Sequence, residues 1–336
     1  MKRKPSPLDP FCNPQSIALF GSMQENWFFG AGVIVGDLLK WNYPGDIYPI
    51  HPTAQSVYGV RVYKDLAQTP RVPELAVIVT SYKHVPGLLR QCGAKSVKAV
   101  VIVSDGFGEA GPEGKIRQED VLRIAKSHSI RLMGPNTVGV FNAWDRFTTV
   151  PYDRGYDYEK PGRLSIITQT GMYSPQAVAW NEYEAGINKV IDLGNMSDID
   201  ETDCLEYLEK DDGTDVISLY MEHSRRPKTF LDRLKKVSRK KPVLCLMPGG
   251  SPGAAAAMAG NADLYRTFIR QSGALLVDEY EDLRDCATPF LRYPLPKGNR
   301  LGVLTFSGAI GIQCIDAAEE NGLTLGALSA ESRRKL

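Results

Sequence analysis

Short apolar runs alternate with amphipathic stretches of helix length along this chain, a pattern that predicts a parallel sheet with crossover helices. In the first part the runs are Ser16-Ile-Ala-Leu-Phe20, Asp46-Ile-Tyr-Pro-Ile50, Leu75-Ala-Val-Ile-Val79, Ala99-Val-Val-Ile-Val103 and Ile130-Arg-Leu-Met133. Each ends in small or polar residues, where a doubly wound sheet carries its ligand-binding loops. A second set follows: Leu164-Ser-Ile-Ile167, Lys189-Val-Ile-Asp192, Val216-Ile-Ser-Leu-Tyr220, Val243-Leu-Cys-Leu246 and Ala274-Leu-Leu-Val277. Stretches rich in Pro and Gly, 150–162 and 292–299, read as linkers. The expected organisation is a Rossmann-like domain over 10–150, a flavodoxin-like doubly wound domain over 163–297 and a third piece over 298–336.

The third piece begins as a repeat of the second. Arg163-Leu-Ser-Ile-Ile-Thr-Gln-Thr-Gly171 returns as Arg300-Leu-Gly-Val-Leu-Thr-Phe-Ser-Gly308, 300 − 163 = 137 residues later. A domain-sized offset points to two copies of one α/β fold. The second copy has room for two strands and a helix, too few to bury a doubly wound sheet, so a truncated or split polypeptide is expected.

Composition narrows the function classes. With 43% hydrophobic and 24% charged residues the chain reads as globular, and a net charge of +1 offers no footprint for nucleic acid or an acidic membrane surface. No apolar run is long enough for a membrane span, and Met1–Pro7 is basic without the apolar core of a signal peptide. The six cysteines form no CxxC pair and several sit in apolar runs, which predicts reduced thiols, no metal site and a cytoplasmic protein.

The first strand runs into Gly21-Ser-Met-Gln-Glu-Asn-Trp-Phe-Phe-Gly30, a glycine-bearing loop suited to phosphate at a helix N-terminus. Its spacing is not GxGxxG, and the second strand ends in Ile50-His-Pro52 with no acid for a ribose hydroxyl. Both departures count against a nicotinamide dehydrogenase.

The ordered series Gly21-Ser22, Ile47-Tyr-Pro-Ile-His-Pro52, Val97–Glu109, Ile130-Arg-Leu-Met-Gly-Pro-Asn-Thr-Val-Gly139, Thr168-Gln-Thr-Gly171, Leu193-Gly-Asn195, Tyr220-Met-Glu222 and Gly273-Ala-Leu-Leu-Val277 resembles the NDP-forming acyl-CoA synthetases, relatives of the succinyl-CoA synthetase α subunit. The resemblance implies a CoA-binding first domain, with Gly21, Ser22, Met23, Gly30, Pro52, Thr53, Thr80, Ser81, Val85, Ser104, Gly106 and Asn136 around the CoA. It implies a second, ligase domain in which Gln169, Thr170 and Gly171 hold a phosphoryl group, Glu222 orients a phosphohistidine and Asn195 adjoins the same pocket. It further implies a carboxylic acid substrate, an oligomer, and an ATP-grasp partner of β type that handles ATP and Mg, since no GxxxxGK[ST] loop is present here.

One departure stands out. The family reads Gly-Arg-Ser, alanines, then Ser-His-Thr-Gly. Here Gly249-Gly-Ser251 leads through Pro252-Gly-Ala-Ala-Ala-Ala-Met258 directly to Ala259-Gly260, with Met247 and Gly250 where basic residues are usual. The histidines are at 51, 84, 128 and 223, and only His223, after Glu222, is placed to substitute. Two readings follow: a synthetase part acting with its ATP-grasp partner, or a non-catalytic CoA- or acyl-CoA-binding protein that has lost the relay.

Overall fold

The computed structural model describes residues 6–152, 160–171, 186–248 and 262–335. The chain divides into two compact units, 1–292 and 293–336.

Among the described residues the first unit holds two large sheets and a two-stranded antiparallel hairpin, Ser56–Val57 with Val60–Arg61. Strands β1 (Ser16–Gly21), β2 (Asp46–Ile50), β3 (Leu75–Val79), β4 (Ala99–Ile102) and β5 (Arg131–Met133) form an all-parallel sheet in the order β2-β1-β3-β4-β5. Helices α1 (Ala31–Lys40), α2 (Val85–Ala94) and α3 (Pro112–Ser127) are its crossovers. Ile17, Ala18 and Leu19 of β1 and Leu75 through Ile78 of β3 have no accessible surface. That is why these strands read as unbroken apolar runs: a parallel strand covered on both faces has no solvent side to mark with polar residues.

The second sheet contains β6 (Val140–Asn142), β7 (Phe147–Thr148), β8 (Pro161–Thr168), β9 (Ile187–Asp192), β10 (Val216–Tyr220), β11 (Val243–Leu246) and β12 (Leu275–Val277) in the order β12-β11-β10-β8-β9-β6-β7. Its body is parallel, while β6 runs antiparallel to β9 and β7 antiparallel to β6. Helices α4 (Glu201–Glu209), α5 (Pro227–Ser238), α6 (Ala262–Gln271) and α7 (Tyr280–Arg292) accompany it. All the strands read from the sequence are present. The antiparallel edge β6–β7 was not foreseen: its runs are two or three residues long, below what a period-2 pattern can reveal. Residues 140–148 precede the 150–162 stretch in sequence yet complete the second sheet, so one core cluster extends from Phe11 and Leu19 through Phe147 to Leu205 and Phe230. Of the expected linker, 153–159 lie outside the described residues.

The second unit places β13 (Arg300–Leu301) parallel to β14 (Thr324–Leu325), joined by α8 (Gly308–Glu320). The repeat read from sequence is visible in its hydrogen bonds. Thr168 Oγ1 accepts from Thr170 N at 3.2 Å and donates to Thr170 O at 2.8 Å; Thr305 Oγ1 accepts from Ser307 N at 3.1 Å and donates to Ser307 O at 3.3 Å.

Candidate active site

In open α/β sheets ligands bind at the carboxyl ends of the strands where the strand order reverses. The first sheet reverses between β1 and β3, and the second between β8 and β10. The loops at these points are 21–30 and 80–85 in one sheet, 168–171 and 221–224 in the other.

Two facing loops bring both reversals to one cavity. Asn195 N donates to Pro135 O at 2.9 Å, Ser197 N to Gly134 O at 3.0 Å, Asp192 N to Gly139 O at 2.8 Å and Thr137 Oγ1 to Asp192 O at 2.6 Å. The approach is so close that a Cβ on Gly194, whose φ is +52°, would lie 2.4 Å from the carbonyl oxygens of Pro135 and Asn136. Only glycine fits there.

The resulting cavity has a volume of about 740 Å³. Its first-sheet wall is Thr80, Ser81, Ser104 and Asn136, and its opposite wall is Gln169, Thr170 and Gly171, all of them positions singled out in the sequence. Ser104 Oγ donates to Thr80 O, and Asn136 N donates to Ser104 O at 2.9 Å, so three successive strand-end loops are stitched together.

Gln169 spans the second reversal. Its Oε1 accepts from Glu222 N at 2.7 Å and His223 N at 3.1 Å, and its Nε2 donates to His223 O at 2.7 Å. The side chain expected to hold a phosphoryl group thus has all these bonds committed to positioning the Glu222-His223 loop. Tyr220 Oη donates to Glu222 Oε1 at 3.2 Å. Asn195 Nδ2 donates to Gln118 Oε1 at 2.9 Å and to Glu109 Oε2, and its Oδ1 accepts from Asn136 Nδ2 at 3.4 Å. Burial alone would raise Glu109, but Asn195 and the N–H groups of Gly106 and Phe107 outweigh it and hold the carboxyl below its ordinary range.

The other expected residues stand back from the cavity lining. Gly21, with φ +150°, ends β1 so close to β3 that a Cβ would lie 2.2 Å from Val79 O. Ser22 O accepts from Gly32 N at 2.8 Å and Gly30 N donates to Pro151 O at 3.0 Å, which shapes the loop. Met23 and Val85 are core side chains, 8% and 0% exposed, leaving only their backbones for a ligand. Pro52 and Thr53 are exposed on a turn closed by His51 Nδ1, which accepts from Thr53 N at 3.3 Å and Ala54 N at 3.1 Å. Gly106, φ +88°, belongs to the loop that Glu109 ties down.

Residues 249–261, including the alanine run, lie outside the described residues. At their start, Met247 is buried and its carbonyl accepts from Arg266 Nη1 at 3.2 Å. Arg266 also pairs with Asp278. A guanidinium from α6 thus stands at a strand end whose local sequence lacks a basic residue.

Sequence reasoning missed Asp192, Phe29, Tyr152 and Glu201. Asp192 closes β9 with no accessible surface and lines the cavity; Oδ2 accepts from Val138 N at 2.7 Å and Oδ1 from Gly194 N at 3.1 Å. Burial pushes its carboxyl up to about 6 against those two amides and Thr137. Its signal was an acid ending an otherwise apolar strand, immediately before Gly-Asn. Glu201 opens α4 behind the 222–224 loop. Its Oε1 accepts from Ser224 Oγ, its Oε2 is buried without a partner, and burial pushes it up to about 7.

Fold and cavity together define a two-part α/β protein whose cavity lies across two strand-order reversals. The sequence matches the CoA binding domain over residues 15–143 and the succinyl-CoA ligase like flavodoxin domain over residues 161–290. It is 34% identical over 341 residues to the acetate–CoA ligase (ADP-forming) II subunit alpha of Pyrococcus furiosus, covering 98% of this chain and 72% of that one. It is 34% identical over 321 residues to the 4-hydroxybutyrate–CoA ligase (ADP-forming) of Nitrosopumilus maritimus, covering 93% of this chain and 46% of the relative. Among solved structures, the dinucleotide forming acetyl-coenzyme A synthetase 1 of Ca. Korarchaeum cryptofilum, in complex with phosphate and ADP, matches with a TM-score of 0.86 at 30% identity, over 96% of this chain and 70% of that one. The chain belongs to the ADP-forming acyl-CoA ligase family, as an α-type chain.

Proposed function

We propose that this chain is the CoA-binding α-type part of an acyl-CoA synthetase that converts a carboxylate, CoA and ATP to acyl-CoA, ADP and phosphate, with ATP and Mg held by a separate ATP-grasp subunit in the cytoplasm. The observation that carries the reading is the single cavity in which Ser81, Ser104 and Asn136 face the Thr168–Gly171 turn. CoA enters from the first sheet, and the phosphoryl and acyl groups are exchanged over the second.

The chemistry is a relay that divides one difficult condensation into easier transfers. A nucleophile takes the γ-phosphoryl group as ADP leaves. The carboxylate oxygen then attacks phosphorus and releases the nucleophile. The CoA sulfur attacks the acyl carbon, the C–O bond to phosphate breaks, and phosphate departs. In this chain the proposed nucleophile is His223, the one histidine on the loop that Gln169 grips. Desolvation of the imidazole, helped by Arg225, holds it below its ordinary range against the pull of Glu222. That favours the neutral, nucleophilic form.

The test mixes the chain with its cognate ATP-grasp subunit, ATP, CoA and a panel of acids. The expected result is CoA- and acid-dependent ADP release, with an acid-labile phosphate on the chain that disappears in His223→Ala. ADP release that persists with His223→Ala removes that residue from the relay. CoA binding by calorimetry without any ADP release favours the second reading, a CoA-binding protein without turnover.

A further inference from the structure

The loop that carries Glu222 and His223 is held at both ends. Gln169 grips its start, while Ser224 at its far end is bonded to a buried acid that the relay does not use. That acid, Glu201, has no accessible surface. Its Oε1 accepts from the Ser224 hydroxyl, and the same hydroxyl oxygen accepts from Arg226 N at 3.3 Å. Its Oε2 is buried without a partner, although buried polar atoms in folded proteins are nearly always bonded.

Groups from three elements act on the carboxyl or are acted on by it. On α4, Asp200 precedes it and raises it further, after burial has pushed it up to about 7 against the Ser224 bond. At the start of α5, the Arg226 guanidinium lowers it, but that cation is bonded to both oxygens of Asp200 at 2.6 Å and lies 3.2 Å from Asp203. On α6, Tyr265 is half-buried; burial and then Glu201 raise its phenol, and the Ser224 amide pulls it back. A neutral carboxyl rests in these surroundings with one oxygen unbonded, whereas an ionised one leaves a buried charge without its own counter-ion. Resting on the function proposed above, we infer that Glu201 is a positioning residue of the phosphoryl relay: through Ser224 it fixes the far end of the Glu222–His223 loop. Closure of the loop raises the carboxyl above its ordinary 4.5, so the closed form binds the proton more tightly than the open one. The hold is therefore full below about 4.5 and weakens as pH rises to about 7, by at most about tenfold per pH unit.

The test follows hydrogen exchange on the full chain at the His223 and Arg226 amides, with the Met221 amide as internal control. Glu201→Ala is expected to lower protection at the first two about tenfold or more and to leave Met221 unchanged. Glu201→Gln keeps an acceptor for Ser224 and cannot ionise, so it is expected to hold the loop and to lack the wild-type decline in protection between about pH 5 and 7. Thermal melts show which variants are folded; should Glu201→Ala not fold, Ser224→Ala removes the same bond from the other side and takes its place. With the cognate ATP-grasp subunit, Glu201→Ala is expected to lower kcat for ADP release about tenfold or more with KM for CoA unchanged, and Glu201→Gln to restore most of it. Wild-type protection in Glu201→Ala overturns the inference, as does a pH decline shared by Glu201→Gln, or an unchanged kcat in Glu201→Ala beside an active wild type. If the wild type releases no ADP, the function proposed above fails, and the exchange measurement still decides whether Glu201 holds the loop.

Discussion

The sharpest prediction concerns Gln169, a side chain 7% exposed that ties the β8–β10 reversal together. Gln169→Ala deletes three hydrogen bonds at once: to Glu222 N (2.7 Å), His223 N (3.1 Å) and His223 O (2.7 Å). Each intramolecular hydrogen bond contributes about 0.5–1.5 kcal/mol net. Because the loop reaches solvent, water recovers part of the loss, and about 1–3 kcal/mol remains as reduced resistance to local opening. Hydrogen exchange reads this residue by residue: the Glu222 and His223 amides are expected to exchange about 5- to 150-fold faster in the variant. The Met221 amide, bonded at 3.1 Å to Leu246 O inside the ladder, is the internal control and is expected to stay protected. Gln169→Glu keeps the acceptor but sets an oxygen against the His223 carbonyl. It is expected to fall between wild type and Ala, and to approach wild type as acidification protonates the carboxyl. If both amides exchange at wild-type rates in Gln169→Ala while Met221 is unaffected, Gln169 does not hold this loop and the reasoning is refuted.

Three further outcomes follow from the same geometry. Asp192 has a folded-state value of about 6, above its ordinary 3.8. The native state therefore binds the proton more tightly, and wild-type stability falls as pH rises from about 4 to about 6 and is level above that; relative to Asp192→Asn, urea titrations are expected to show a decline of roughly 2–3 kcal/mol across that window and none above it. Asp211→Ala strips the partner, 3.1 Å away, from Lys189, whose side chain is 7% exposed, and is expected to cost about 3–5 kcal/mol in urea unfolding; Asp211→Leu with Lys189→Met is expected to recover most of it. Gly21→Ala puts a Cβ 2.2 Å from Val79 O at φ +150°, so the β1–α1 loop must shift, and calorimetry is expected to show CoA affinity reduced tenfold or more.

The strands, the two doubly wound sheets and the repeat were legible in the sequence because each is a local signal. Buried parallel strands are short apolar runs, and the 168–171 turn repeats as 305–308 with the same threonine hydrogen bonds. The cavity walls at Thr80, Ser81, Ser104, Asn136, Gln169, Thr170 and Gly171 were legible as strand-end loops, since sheet topology alone puts ligands there. Gln169 shows the limit of that logic: its position was readable, its partners were not, because they lie 53 and 54 residues away.

The sequence by itself determined the element order, the CoA-ligase resemblance and the absence of a histidine from 249–261, all properties of neighbouring residues. Only the tertiary structure decided how the halves meet: β6 and β7 crossing over to finish the second sheet, the 134–139 and 192–197 loops bonded face to face, Asp192 buried against the amides of Val138 and Gly194, and Tyr152 laid on Phe29. Burial and the electrostatics of a cavity depend on which distant segments share a neighbourhood, and no local pattern encodes that.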